Sequence, residues 1–207
     1  MLSALALTAT TIALPPLMLG VHVARGISEK TVAIALVEAA AIWRGPGVTL
    51  VWEIDRAGGA TAAAPGGSCA CINVLFENDD ASAARFTPMP LGWIAFDELD
   101  DPAREIHLSY GNAVMLVKEW YGATVANQMT IYERETLLGR ALGRALAHEV
   151  GHYLFRSKAH TKTGLMQGHQ KAVDFFSPSP ARFEVDAAQS ALIVSRLTPA
   201  PVRQSTY

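Results

Sequence analysis

The sequence predicts a single α+β domain, on three observations. The chain has 207 residues, enough for one domain with a real core. Half of them are apolar and only 17% charged, which excludes a disordered chain. The hydrophobic patterns run in the order helix, several strands, long helix, irregular segment, helix, with no internal repeat. The net charge of -2 gives no electrostatic case for binding nucleic acid. No run of like charges marks a membrane-surface patch or an acidic tail.

The elements follow in order. Met1 to Val23 contains no Asp, Glu, Lys or Arg, and the first charged side chain is Arg25. Residues 1–24 therefore read as a secretory signal cut after Gly20 or Ala24, or as an N-terminal anchor. Pro15 and Pro16 would interrupt a spanning helix. The expectation is an exported protein, secreted or periplasmic, that meets the membrane only if the anchor is uncut. A buried N-terminal helix is the third reading. The folded domain is expected over 28–198.

Ser28 can cap a helix to about Arg44, with Val32, Ala35, Leu36, Ala39 and Ile42 at helical spacing, and Gly45-Pro46-Gly47 stops it. Val48 to Ile54 is β-branched and aromatic, so it reads as a strand. Residues 57–68 are small and low in complexity, a loop within the domain. Cys71 to Phe76 and Leu91 to Phe96 read as strands around a turn-rich stretch from Asn78 to Pro90. Ile106 to Tyr110 reads as another, and its alternation of Ile106 and Leu108 with His107 and Ser109 suggests one face open to water. Ala113 to Tyr121 fits a short helix or a strand equally well. A long helix is expected from about Thr130 or Glu133 to Phe155, on a broad apolar stripe. Gly139 and Gly143, four apart in that stripe, allow another element to approach closely. A last amphipathic helix is expected over 181–196, after Pro178 and Pro180. Cys69 and Cys71 form a C-x-C whose direct bridge would be strained, and no second cysteine pair supports a metal role.

Within the long helix stands His148-Glu149-Val150-Gly151-His152, an H-E-x-x-H. Residues four apart share a helix face, so two imidazoles can hold one divalent ion. A carboxylate beside the first can reach a water on that ion and act as general base. Zn2+ suits imidazole nitrogen, and a catalytic site takes three protein ligands and keeps one position open. His160 is the expected third ligand, because the seven residues between it and His152 suffice for the helix to end near Phe155 or Arg156 and reverse. His169 and Glu184 are the alternatives. The chemistry implied is metal-assisted hydrolysis.

The segment His148 to Met166 resembles the metzincin clan of zinc peptidases. That resemblance implies His148, His152 and His160 as ligands, Glu149 as base, and Met166 of Gly164-Leu165-Met166 as the methionine of a turn beneath the metal. It also implies a zincin-like fold: a twisted, mostly parallel sheet with an antiparallel edge strand, an active-site helix and a C-terminal helix. The chain departs from the clan's pattern in that Phe155 and Lys158 stand where a glycine and the third histidine are usual. The third histidine is displaced by two residues, so Ser157 or Lys158 is expected to take the unusual backbone of the turn.

The expected function is a zinc-dependent endopeptidase acting on protein or peptide substrates. The alternative is a non-catalytic metal-binding or interaction protein on the same fold, against which the intact Glu149 argues. A deformylase-like hydrolase would need a cysteine ligand in a Gly-Cys-Leu setting that Cys69 and Cys71 lack. Three further expectations concern the cleft. Ile106 to Gly111 is a candidate edge strand for pairing with substrate backbone. Tyr153 is expected to pack in the core, and His169 to Phe176 to wall a substrate pocket.

Overall fold

The computed structural model describes residues 14–56, 71–78 and 90–198. Five strands form one sheet: β1 (Leu17–Val23), β2 (Leu50–Arg56), β3 (Ile72–Glu77), β4 (Gly92–Phe96) and β5 (Pro102–Ser109). Their order is β2-β1-β3-β5-β4. Neighbours are parallel except β4, which runs antiparallel to β5 at the edge. The domain is therefore α+β with a mostly parallel sheet and one antiparallel edge strand.

β1 reaches into the stretch read as a leader or anchor. It pairs with β2 on one side and β3 on the other, and it buries Leu19 and Val21. A cut after Gly20 or Ala24 would take this strand out of the sheet. A strand buried between two neighbours reads as an unbroken apolar run, which hydropathy alone does not separate from the apolar core of a signal. The remaining candidate leader, residues 1–13, lies outside the described residues, as do 57–70 and 79–89, which include the small-residue loop, Cys69 and most of the turn-rich stretch. No described helix is long and apolar enough to cross a membrane.

Two long helices pack against each other, and the second also packs against β4 and β5. α1 (Glu29–Arg44) is capped by the Ser28 hydroxyl, which accepts from Thr31 N–H at 3.1 Å. α4 (Ile131–Phe155) opens with a capping box between Thr130 and Glu133. The helices meet at the two glycines expected to allow close approach. A Cβ at Gly139 would lie 2.6 Å from Ile34, and one at Gly143 would lie 2.5 Å from the Ala35 carbonyl. Trp43 is buried in this seam and donates its indole N–H to Ala147 O at 3.1 Å.

The segment that sequence left between helix and strand is α2 (Tyr110–Tyr121), followed by α3 (Ala123–Gln128). Ser109 caps α2, and Ala113 and Val117, four apart, are its buried residues. Two expectations need correction. The strand expected from Ile106 begins earlier and pairs on both sides, so the sheet edge is β4, not the Ile106–Gly111 segment. Strand order depends on long-range pairing, which alternation within one segment does not encode. The last helix is also shorter than 181–196. A 3-10 turn, Ala181–Phe183, anchors Phe183 in the core, and α6 (Ala187–Leu197) starts anew at an Asp186–Gln189 capping box. A one-turn helix, α5 (Ala172–Phe176), precedes them. On β5, Ile106 and Leu108 are buried. His107 faces the other way, between Glu77 at 2.9 Å and Glu105 at 3.1 Å and stacked on Trp93.

Candidate metal centre

The last two turns of α4 carry the site. Leu146, Val150 and Leu154 point into the core. His148 and His152, one turn apart, share the face that opens into the cleft. Each ring is fixed by a carbonyl: His148 Nδ1 donates to Leu165 O at 2.8 Å, and His152 Nδ1 donates to Ser157 O at 2.6 Å. Those bonds place the proton on Nδ1 and leave both Nε2 lone pairs free. The two Nε2 atoms face each other at 3.0 Å. Two lone pairs at that distance repel unless a cation lies between them.

Burial lowers the pKa of His148 to about 4 and that of His152 in the same direction. Both rings are therefore neutral at pH 7, the form that binds metal. His160 completes the group. Its ring centre is 5.3 Å from that of His148 and 5.0 Å from that of His152. One nitrogen from each of the three rings lies within 4.8 Å of the other two. Ligands at about 2.0–2.1 Å around one tetrahedral ion lie roughly 3.3 Å apart, so the set fits a divalent ion with little movement.

The reversal that returns His160 starts at Arg156, which takes the left-handed backbone at φ 44°, ψ 52°. Sequence placed this kink at Ser157 or Lys158. It falls earlier because the helix stops at Phe155, where Arg156 N–H closes on Tyr153 O at 3.3 Å and Ser157 N–H on His152 O at 3.3 Å. A non-glycine residue there costs about 1–2 kcal/mol. Arg156 also pairs with Asp101, and Lys158 with Asp100, so the β4–β5 turn grips the reversing segment. Beyond His160, Thr161 N–H donates to Met166 O at 2.8 Å. Gly168 lies against the His160 ring, where a Cβ would come 3.0 Å from Cγ.

Gly164 to Gln167 is the turn expected beneath the site. Gly164 has φ +78°, and a Cβ there would lie 2.7 Å from Glu184 O. Leu165 and Met166 are buried, and a methyl at Gly151 would overlap Met166 Sδ. One turn thus orients two histidines: Leu165 O holds His148, and Met166 O holds the strand-like segment that follows His160.

Glu149 is 7% exposed and lines the same cleft. Its carboxylate makes no hydrogen bond among the described residues, and burial pushes its pKa up to about 8. A dication at the three rings would oppose that shift. The cleft has a volume of about 880 Å³. Its walls are β4 with Pro90 and Leu91 on one side, α4 as floor, and the 158–170 segment and Phe175 opposite.

The structure thus brings together His148, His152 and His160, with Glu149 beside them. It leaves both alternatives outside the cluster. His169 stands in the cleft wall, and Glu184 is exposed and engaged through its backbone carbonyl, which accepts from Leu165 N–H at 2.9 Å. Tyr153 packs against the core. His169, Gln170 and Phe175 do wall the cleft. One further residue of the site, Arg144, is not evident from the sequence motifs and is fully buried at the cleft floor. Its signal was a lone charge within the apolar stripe of α4. No protein-family model and no curated protein matches the chain.

Proposed function

We propose that this chain is a zinc-dependent endopeptidase with a metzincin-like, zincin-type domain. The observation that carries the reading is the pairing of three convergent imidazoles with a carboxylate, Glu149, that makes no hydrogen bond among the described residues, in one open cleft. A ligand set alone needs no such carboxylate. His148, His152 and His160 would hold the ion through one nitrogen each, with zinc favoured because all three donors are imidazole. Zinc, when bound, supplies Lewis acidity toward the water and the scissile carbonyl.

The chain's own residues do the rest. Glu149 takes a proton from the attacking water as its oxygen bonds to the carbonyl carbon. It then delivers that proton to the amide nitrogen as the C–N bond breaks, so the products are a carboxylic acid and an amine. Leu165 O and Ser157 O keep both helix histidines in the ligating tautomer. Among the described residues β4 has one unpaired edge, along the cleft, suited to an extended peptide that adds as a further strand. An exported location is proposed with it, any leader being confined to residues ahead of Leu17.

The test is cleavage of an unstructured protein such as casein by the purified full chain, with and without a chelator. Cleavage that stops on chelation and returns with zinc is expected. A chain that binds one zinc tightly and cleaves nothing would instead be a non-catalytic metal-binding protein on this fold.

A further inference from the structure

One wall of the cleft is a helix too short to hold itself. α5 has five residues, well below the length at which a helix persists alone, yet its Phe175 lines the cavity. The carbonyls at its C-terminal end are captured by two arginines one turn apart on α4. Arg144 donates from Nη1 to Asp174 O and from Nη2 to Ser177 O at 2.7 Å, and Arg140 donates to Phe176 O at 3.4 Å.

Arg144 is itself held from behind. It is fully buried, and Glu38 on α1 accepts from its Nε at 2.8 Å and forms an ion pair with its Nη2 at 2.7 Å. Three of its five donors are thereby committed to fixed acceptors. Its guanidinium lies 5.1 Å from the Phe183 ring, which packs 5.5 Å from Phe175. Gly143 makes the arrangement possible, since a Cβ there would lie 2.7 Å from Glu38 Cβ. The pair thus links α1, α4 and the cleft wall, one turn before His148.

Resting on the peptidase reading above, we propose that the Glu38–Arg144 pair is a positioning device that fixes the α5 wall and so sets how tightly peptide is held, leaving the metal ligands untouched. The test uses the full, zinc-loaded chain carrying Arg144→Met together with Glu38→Gln, so that no carboxylate is left unpaired. Leu36→Val, in the buried face of α1, measures the effect of lost stability alone. Amide hydrogen exchange over 172–177, zinc affinity by chelator competition, and KM and kcat on a casein-derived peptide are compared.

The expected result is exchange over 172–177 at least about tenfold faster and KM raised roughly tenfold, with kcat and zinc affinity within about threefold. Leu36→Val moves neither exchange there nor KM. Should the double variant fail to fold, Arg144→Lys, which keeps the charge but reaches fewer of the acceptors, is expected to show both effects in smaller measure. Unchanged exchange over 172–177, or a KM no higher than that of Leu36→Val, would overturn the proposal. A wild-type chain that cleaves no peptide would overturn the peptidase reading and the substrate role with it. The exchange result would still decide whether the pair holds the wall.

Discussion

His160 is the residue on which the candidate metal centre turns, because it alone of the three histidines comes from outside the helix. The three rings are unequal. His148 and His152 are brought together by helix geometry and oriented by carbonyls, whereas His160 is exposed and depends on the reversal at Arg156 and on Gly168 beneath its ring. His160→Ala is expected to weaken zinc binding by at least about 100-fold, since three-ligand sites lose their hold when one donor goes. His169→Ala and Glu184→Gln should leave it unchanged. Chelator competition on the three variants checks this. The sequence spelled out the helix pair because a period of four residues is local. It offered no such rule for the return of His160, only a spacing long enough to permit it.

α4 is the element that joins core, candidate metal centre and cleft. Its glycines matter by contact, not by freedom. In an open helix Gly143→Ala would gain about 1 kcal/mol of helix propensity. Here the added methyl would meet the Ala35 carbonyl at 2.5 Å, so the change is expected to destabilise by about 1–3 kcal/mol, read by thermal unfolding. The start of α4 carries a pH dependence of known sign. Hydrogen bonds from Thr130 lower the Glu133 pKa below its ordinary 4.5. The stabilisation is therefore present above pH 4.5 and is lost as pH falls through the lowered value. Wild type should melt above Glu133→Ala at pH 7, and the gap should narrow as acid is added past that point. Helices of this kind were legible in the sequence because caps and stripes lie within a few residues of each other. Arg144 was not, since its partners on α1 and α5 lie 106 and 30 residues away.

At the scale of the molecule, the least legible feature was the sheet. Its order, β2-β1-β3-β5-β4, puts the earliest strand between the next two. Leu19 and Val21 read as part of an export signal because a fully buried strand and a signal core share one composition. Here they are buried in the hydrophobic core, in a strand paired on both sides. A chain starting at Ala24 is accordingly expected not to fold, shown by loss of a cooperative thermal transition. If it unfolded like the full chain, β1 would be dispensable. The edge strand was misread for a related reason, since only the pairing of β4 with β5 reveals that β4 borders the cleft. By contrast, the mostly parallel sheet with one antiparallel strand was anticipated through the resemblance carried by His148 to Met166.

In the proposed peptidase, an acid beside three ring nitrogens moves the proton of hydrolysis. Glu149→Gln keeps the shape of that side chain and removes its basicity, so the decisive measurement is the peptide-cleavage rate of this variant against wild type at equal zinc content. A general-base role for Glu149 predicts one zinc per chain in both, with cleavage by Glu149→Gln slower by about 10²–10⁴-fold. Equal rates at equal zinc content would contradict it.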